Sequence, residues 1–228
     1  MTVITCRAVT RWYSRRGVSP LTAVNDVDLD IEAGSFVAIE GPSGSGKTTL
    51  LGLLAGLEAP NSGEITVLGH ELSRLTATER ARLRQRRIGI VFQSFGRVAS
   101  MRAGDNVALP LSLADVPRRE RDARARAALD EVGLDDAFER RIDELSGGER
   151  QRVGVARALV LEPAVVLADE PTGSLDEANG ANVLALLIAA VRRRGASLVL
   201  VTHDPASAAQ ADRRYQMRDG RLTARVPA

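Results

Sequence analysis

Hydrophobic positions in this chain of 228 residues fall into two kinds of run. Phe36–Ile39, Ile88–Phe92, Val165–Ala168 and Ser197–Val201 are short, nearly continuous apolar stretches bounded by turn residues. That pattern predicts strands buried on both faces, as in a parallel sheet. Val27, Leu29 and Ile31 instead alternate with Asp28 and Asp30, the period of a strand with one wet face, and Val3–Val9 is a further β-rich run. A short strand is expected from Glu64 to Gly69, and Asp219-Gly220 between Tyr215–Arg218 and Arg221–Ala224 signals a hairpin. Helical segments are predicted after the first buried strand (Leu50–Leu57), over Pro117–Val132 with Gly133 as its stop, from Ser146 towards Pro163, and over Ala181–Arg194 before Gly195. The arginine-rich Leu75–Arg87 reads as a helix with a solvated face, and SFGRVASMRAGDN after Gln93 reads as loop. Strands alternating with helices predict an α/β domain on a mainly parallel sheet.

Composition narrows the class. The length suits one α/β domain, or a core with a small subdomain. Net charge is +2, and the high pI reflects arginine rather than a large excess of charge, so no electrostatic footprint for nucleic acid or membrane is expected. A single cysteine, Cys6, excludes an internal disulfide and fits a reducing compartment. No run is long enough to span a bilayer, and the N-terminus lacks a secretory apolar core, so a cytoplasmic protein without direct membrane insertion is expected.

The first buried strand runs into Gly41-Pro42-Ser43-Gly44-Ser45-Gly46-Lys47-Thr48, a complete G-x-x-x-x-G-K-[ST] phosphate loop leading to a helix. Its glycines let backbone N–H groups approach a phosphate, and the helix start adds partial positive charge. Lys47 would supply a point charge and Thr48 a hydroxyl for Mg²⁺. Lys47 is the only lysine in the chain; every other basic residue of the Lys and Arg set is arginine. The position calls for a slim ammonium, which a planar guanidinium does not replace.

Other candidates cluster at strand ends. Gln93 ends the second buried strand, where open α/β sheets bind ligands. Asp169 and Glu170 end the third; Asp169 would hold the Mg²⁺ shell, and Glu170 could accept a proton from an attacking water. His203 follows the fourth and could bond a γ-phosphate or be a satisfied core histidine. Ser146 and Glu149 have capping-box spacing, and Gly147 and Gly148 bare a second set of backbone N–H groups. One nucleotide's phosphates are already held by the first loop, so this second anion site suggests that another copy of the protein completes the pocket. Trp12 and Tyr13, taken alone, read as packing aromatics, and His70 as a surface residue.

These motifs, in order and across nearly the whole chain, resemble the ATP-binding subunits of ABC transporters. GPSGSGKTT is similar to the Walker A loop, so Thr49 joins the expected nucleotide contacts. LSGGERQRV is similar to the signature motif, VVLADEP to Walker B with its catalytic glutamate, Ser174-Leu175-Asp176 to the D-loop, VTHD to the switch-histidine segment, and Gln93 to the Q-loop. Tyr13 falls where the family places an adenine-stacking aromatic. ADEPTGSLD and the closing RDGRL are similar to the subgroup serving lipoprotein-release, macrolide-export and cell-division permeases.

The resemblance implies a P-loop NTPase (RecA-like) core with an N-terminal antiparallel β subdomain and an inserted helical subdomain. On this division residues 1–92 and 162–228 form the β subdomain and core, and 93–161 the helical subdomain. It implies a head-to-tail homodimer around two ATP, with Mg²⁺ at Thr48, Gln93 and Asp169. Each ATP would lie on one copy's phosphate loop and under the other's Ser146, Gly147, Gly148 and Glu149. Asp176 would report across the interface, with Glu170, His203 and Gln93 catalytic. It further implies an integral membrane permease as partner, with the subunit peripheral on the inner face of the cell membrane. The subgroup's leucine-rich, proline-containing stretch after Gln93 is absent; residues 94–104 differ, on the surface expected to dock the permease. A soluble ABC ATPase working on nucleic acid or ribosomes is the alternative. Those proteins carry two ATPase halves, coiled-coil or zinc-binding insertions, and this chain has none of these patterns.

Overall fold

The computed structural model describes residues 1–15, 17–93 and 100–225. In chain order the strands and helices are β1 (Thr2–Arg15), β2 (Val18–Glu32), β3 (Phe36–Glu40), α1 (Lys47–Leu54), β4 (Ser62–Val67), β5 (His70–Glu71), α2 (Ala77–Arg87), β6 (Ile88–Phe92), α3 (Ala103–Leu113), α4 (Arg118–Glu131), α5 (Gly147–Leu159), β7 (Val165–Asp169), α6 (Glu177–Arg193), β8 (Ser197–Thr202), α7 (Pro205–Ala208), β9 (Arg213–Arg218) and β10 (Arg221–Arg225). They divide into two compact units, Met1–Arg84 with Ser197–Ala228, and Gln85–Ala196.

The first unit carries two sheets. β2, β1, β4 and β5 form an antiparallel sheet in that order. Inward residues such as Ile4, Cys6, Leu29 and Ile31 are buried, while Asp28 and Asp30 lie on the other side of the alternation. The second sheet places β3 between β8 and β9, parallel to both, with β10 antiparallel to β9. Every residue of β3 and β8 is buried, which is why both read as unbroken apolar runs. The β9–β10 turn holds Asp219 and Gly220 at φ of 49° and 76°, the two positive angles that a tight hairpin turn needs.

The second unit pairs β6 with β7 in parallel and adds α3 to α6. Leu111, Leu129, Leu134 and Leu159 are fully buried and form its apolar centre. Sequence pattern and structure part company at α3. The end of the stretch read as loop is helical from Ala103, with Asp105 in its first turn and Pro110 inside it. Gly104 allows this, because a Cβ there would lie 2.6 Å from the Phe138 ring. The helix is set by that packing rather than by periodicity. The atypical segment after Gln93 falls in part on residues 94–99, outside the described residues. Several boundaries also move: α6 starts four residues before Ala181, and β1 extends through Tyr13.

Candidate functional site

In the first unit the phosphate loop leaves the C-terminal end of β3. Glu40 is in register with Thr202 of β8, so His203 leaves the neighbouring strand at the same edge. Gly46 caps α1 at a φ of 105°, and its Cβ position lies 1.9 Å from the carbonyl oxygen of Ala23. No other residue type fits there. Gly41 is similarly closed, 2.2 Å from the Met217 carbonyl oxygen. The glycines therefore serve packing as well as a ligand.

Lys47 is buried, and its Nζ donates to the carbonyls of Gly41 and Pro42 at 2.8 and 3.0 Å. An ammonium folded over the loop in this way can exchange carbonyl oxygens for phosphate oxygens by a small rotation. The first turn of α1 holds no acidic residue of its own, so its sequence leaves the positive end of the helix dipole for an anion. Ser45 Oγ is buried without a hydrogen-bond partner. A buried hydroxyl without a partner, in a loop that runs into a helix start, fits an anionic ligand. Pro42, Ser43, Gly44 and Thr48 are exposed, and Thr49 is half-buried.

Sequence reasoning passed over Glu40, the last residue of β3. It is buried and accepts two bonds from Arg225 Nη1, at 3.2 and 2.9 Å. The pair neutralises a carboxylate next to a loop that should attract anions. Nothing local signals a partner 185 positions away.

Tyr13 lies on β1, with its hydroxyl donating to Glu58 Oε2 at 2.6 Å. Arg11 sits over the same ring, 4.6 Å from its centroid. His203 is exposed, and the next residue, Asp204, caps α7 by accepting from the N–H groups of Ala206 and Ser207. The Asp204 carboxyl is held below the usual range, first by the Ser207 hydroxyl and then by these N–H groups.

In the second unit Phe92 is in register with Asp169, so Gln93 and the Asp169-Glu170 pair leave adjacent strands at one edge. A Cβ on Gly173 would approach Gln93 Nε2 to 2.8 Å, so the turn after Glu170 is trimmed to admit the glutamine side chain. Glu170 has a φ of 45°, a left-handed conformation that a side-chain-bearing residue adopts at a cost of about 1–3 kcal/mol. The following turn is closed by the Gly173 N–H donating to the Glu170 carbonyl.

Ser146 and Glu149 form the expected capping box. The Glu149 N–H donates to Ser146 Oγ at 3.2 Å, and the Ser146 N–H donates to Glu149 Oε2 at 2.7 Å. That backbone bond is the main cause of a lowered Glu149 carboxyl pKa, and Arg140 adds to it through a 3.1 Å pair. Gly147 and Gly148 are exposed or half-exposed at the helix start. Gln151, two positions past Glu149, went unassigned in the sequence. It is 1% exposed, and its Nε2 donates to the carbonyl of Phe92 at 3.0 Å, tying α5 to the strand that ends at Gln93. Asp176 caps α6, accepting from the Asn179 N–H at 3.0 Å and from its side-chain amide at 2.6 Å.

Among the described residues no group of three or more His, Cys, Asp or Glu is arranged as a metal site. No helix among them is long and apolar enough to cross a membrane.

Comparison with known proteins converges on one family. A family model described as ABC transporter matches residues 24–173. The chain is 43% identical over 221 residues to the lipoprotein-releasing system ATP-binding protein LolD of Chromohalobacter salexigens, covering 97% of this chain and 93% of that one. It is 44% identical over 222 residues to a macrolide export ATP-binding/permease protein MacB of Paracoccus denitrificans, covering 97% of this chain but only 33% of that longer protein. Among solved structures, the dimeric post-hydrolysis state of the ATP-binding cassette MJ0796, bound to ADP and Pi, superposes with a TM-score of 0.88 at 34% identity. The superposition covers 99% of this chain and all of that one. With its phosphate loop, capped signature helix and strained Glu170 in place, the chain belongs to the ABC transporter family of ATP-binding ATPase cassettes.

Proposed function

We propose that this protein is the ATP-hydrolysing subunit of an export or extrusion system, working as a head-to-tail homodimer on a separate membrane permease. The observation that carries the reading is the pairing of two anion-ready helix starts in one chain, the loop before α1 and the capped glycines before α5. One nucleotide needs both, and a second copy can supply the second. The dimeric state of the MJ0796 cassette and the LolD and MacB relatives support the assembly and the transport role.

In this reading Lys47 leaves the Gly41 and Pro42 carbonyls for the β- and γ-phosphates, Gly44 to Thr49 line the phosphates with backbone N–H groups, and Tyr13 stacks on adenine. Ser146, Gly147, Gly148 and Glu149 of the other copy close over the γ-phosphate. Mg²⁺ arriving with the nucleotide would supply charge neutralisation, held through Thr48, Gln93 and Asp169. Glu170 accepts the proton of the attacking water, and His203 bonds the γ-phosphate. Asp176 senses the state of the opposite site. The helical subdomain, residues 93–161, carries the permease contact. A polar groove of about 360 Å³ between α3 and α4, with Arg102, Asp105, Ser112 and Arg121 in its wall, is a suitable surface. The subunit would then sit peripherally on the inner face of the cell membrane. Dimer closure and reopening would drive the permease.

Size-exclusion chromatography of Glu170→Gln with ATP tests the core of the proposal. The variant should bind ATP, hydrolyse it at least about a hundredfold more slowly, as expected for loss of a general base, and elute as a dimer. A monomer that hydrolyses at the wild-type rate would refute it.

A further inference from the structure

We infer that Arg11 and Glu58 are positioning residues for the nucleotide base. They clamp the Tyr13 ring at a fixed place relative to the phosphate loop. This rests on the reading of Tyr13 as the adenine platform and goes a step past it.

Arg11 and Tyr13 are two positions apart on β1 and share a face. The guanidinium covers one side of the ring, 4.6 Å from its centroid, so that side is closed to a base. The hydroxyl is fixed at the other end of the ring by Glu58 Oε2, at 2.6 Å, and the same oxygen pairs with Arg11 Nη2 at 3.1 Å. Three side chains thus close a triangle around the hydroxyl and one face of the ring, so a base would take the opposite face. A cation behind a ring also draws electron density from its exposed face, which favours stacking on electron-rich adenine.

The place of Glu58 in the chain gives the clamp its purpose. α1 starts at Lys47 and ends at Leu54, a rigid rod of about 12 Å, and Glu58 follows in the turn at its far end. Asn61, in the same turn, holds β1 from both directions. Its N–H donates to the Thr10 carbonyl and its Oδ1 accepts from the Trp12 N–H, each at 2.8 Å. One helix therefore fixes both ends of a ruler, the ammonium for the phosphates at its start and the ring for the base beyond its end. A ring already oriented loses less freedom on binding than one that swings on its χ angles.

Calorimetric titration of the full chain separates the possibilities, using ATP and inorganic tripolyphosphate as probes, with the fluorescence of Trp12, the only tryptophan, as a second signal. Tyr13→Phe keeps the ring and removes the tether, and Glu58→Ala removes the acceptor. Each should weaken ATP binding about threefold to tenfold, the scale of one mobile aromatic side chain, and leave tripolyphosphate affinity unchanged. Equal losses for both probes would mean a merely structural role and overturn the clamp. If Tyr13→Ala weakens ATP but Tyr13→Phe and Glu58→Ala do not, the clamp fails while the platform stands. If Tyr13→Ala changes nothing, the platform reading fails and the clamp with it.

Discussion

Lys47 is buried and bonded to two carbonyls of its own loop. A guanidinium is wider and planar, and it cannot fold into the same space. Lys47→Arg should therefore retain the charge and still lower ATP affinity on the order of tenfold to a hundredfold, the scale of one or two charge-assisted bonds lost. Lys47→Ala should abolish measurable binding. Titration calorimetry on both variants checks this, and wild-type affinity in the arginine variant would refute the steric argument. Glu170 makes a related point about residues. Its type and its place after an apolar run are plain in the sequence, but its left-handed backbone is not. That conformation arises because the turn through Gly173 folds back on the Glu170 carbonyl.

Among the elements, α5 joins stability to function at one residue. Ser146 closes the capping box, and its side chain lies where a second copy's γ-phosphate is proposed to bind. The two roles separate by substitution. Ser146→Asp keeps a good cap acceptor and adds a negative charge, so the melting temperature should hold while ATPase activity falls at least about tenfold, or ~1.4 kcal/mol in the barrier. Ser146→Ala should cost about 1 kcal/mol of stability, a drop of about 2–4 °C for a chain of this size. Differential scanning fluorimetry beside a steady-state ATPase assay reads both. The box also has a pH limit. Glu149 titrates below its ordinary value of 4.5 in the folded state, so its contribution is complete above that pH and is lost as pH falls through the lowered value. The element scale is also where pattern reading failed. α3 has a proline inside it and no clean apolar stripe, and its start is set by Gly104 lying against Phe138.

For the molecule as a whole, the proposal implies that this cassette does its work on something outside itself. Purification from membranes in mild detergent should bring down a polytopic protein. Recovery of a ribosomal or DNA complex in its place would favour a soluble ABC ATPase and sink the transport reading. Local patterns bear less on this scale. Net charge of +2 and a dense arginine content describe a surface, and the groove of α3 and α4 proposed to meet the permease is built from helices that only packing aligns.

Local pattern was enough to place the buried strands, the turns, and the phosphate-loop, signature and Walker B motifs. Those properties are local: an apolar run reports burial, and a glycine or capping pair reports backbone geometry within a few residues. Which of these meet depends on the folded chain. The register of Phe92 with Asp169, the reach of Gln151 to the Phe92 carbonyl, the Arg225 pair that neutralises Glu40, and the hold of Glu58 on Tyr13 each join residues 45 or more positions apart. The relative energies of alternative long-range pairings select them, and no short window of sequence contains both partners.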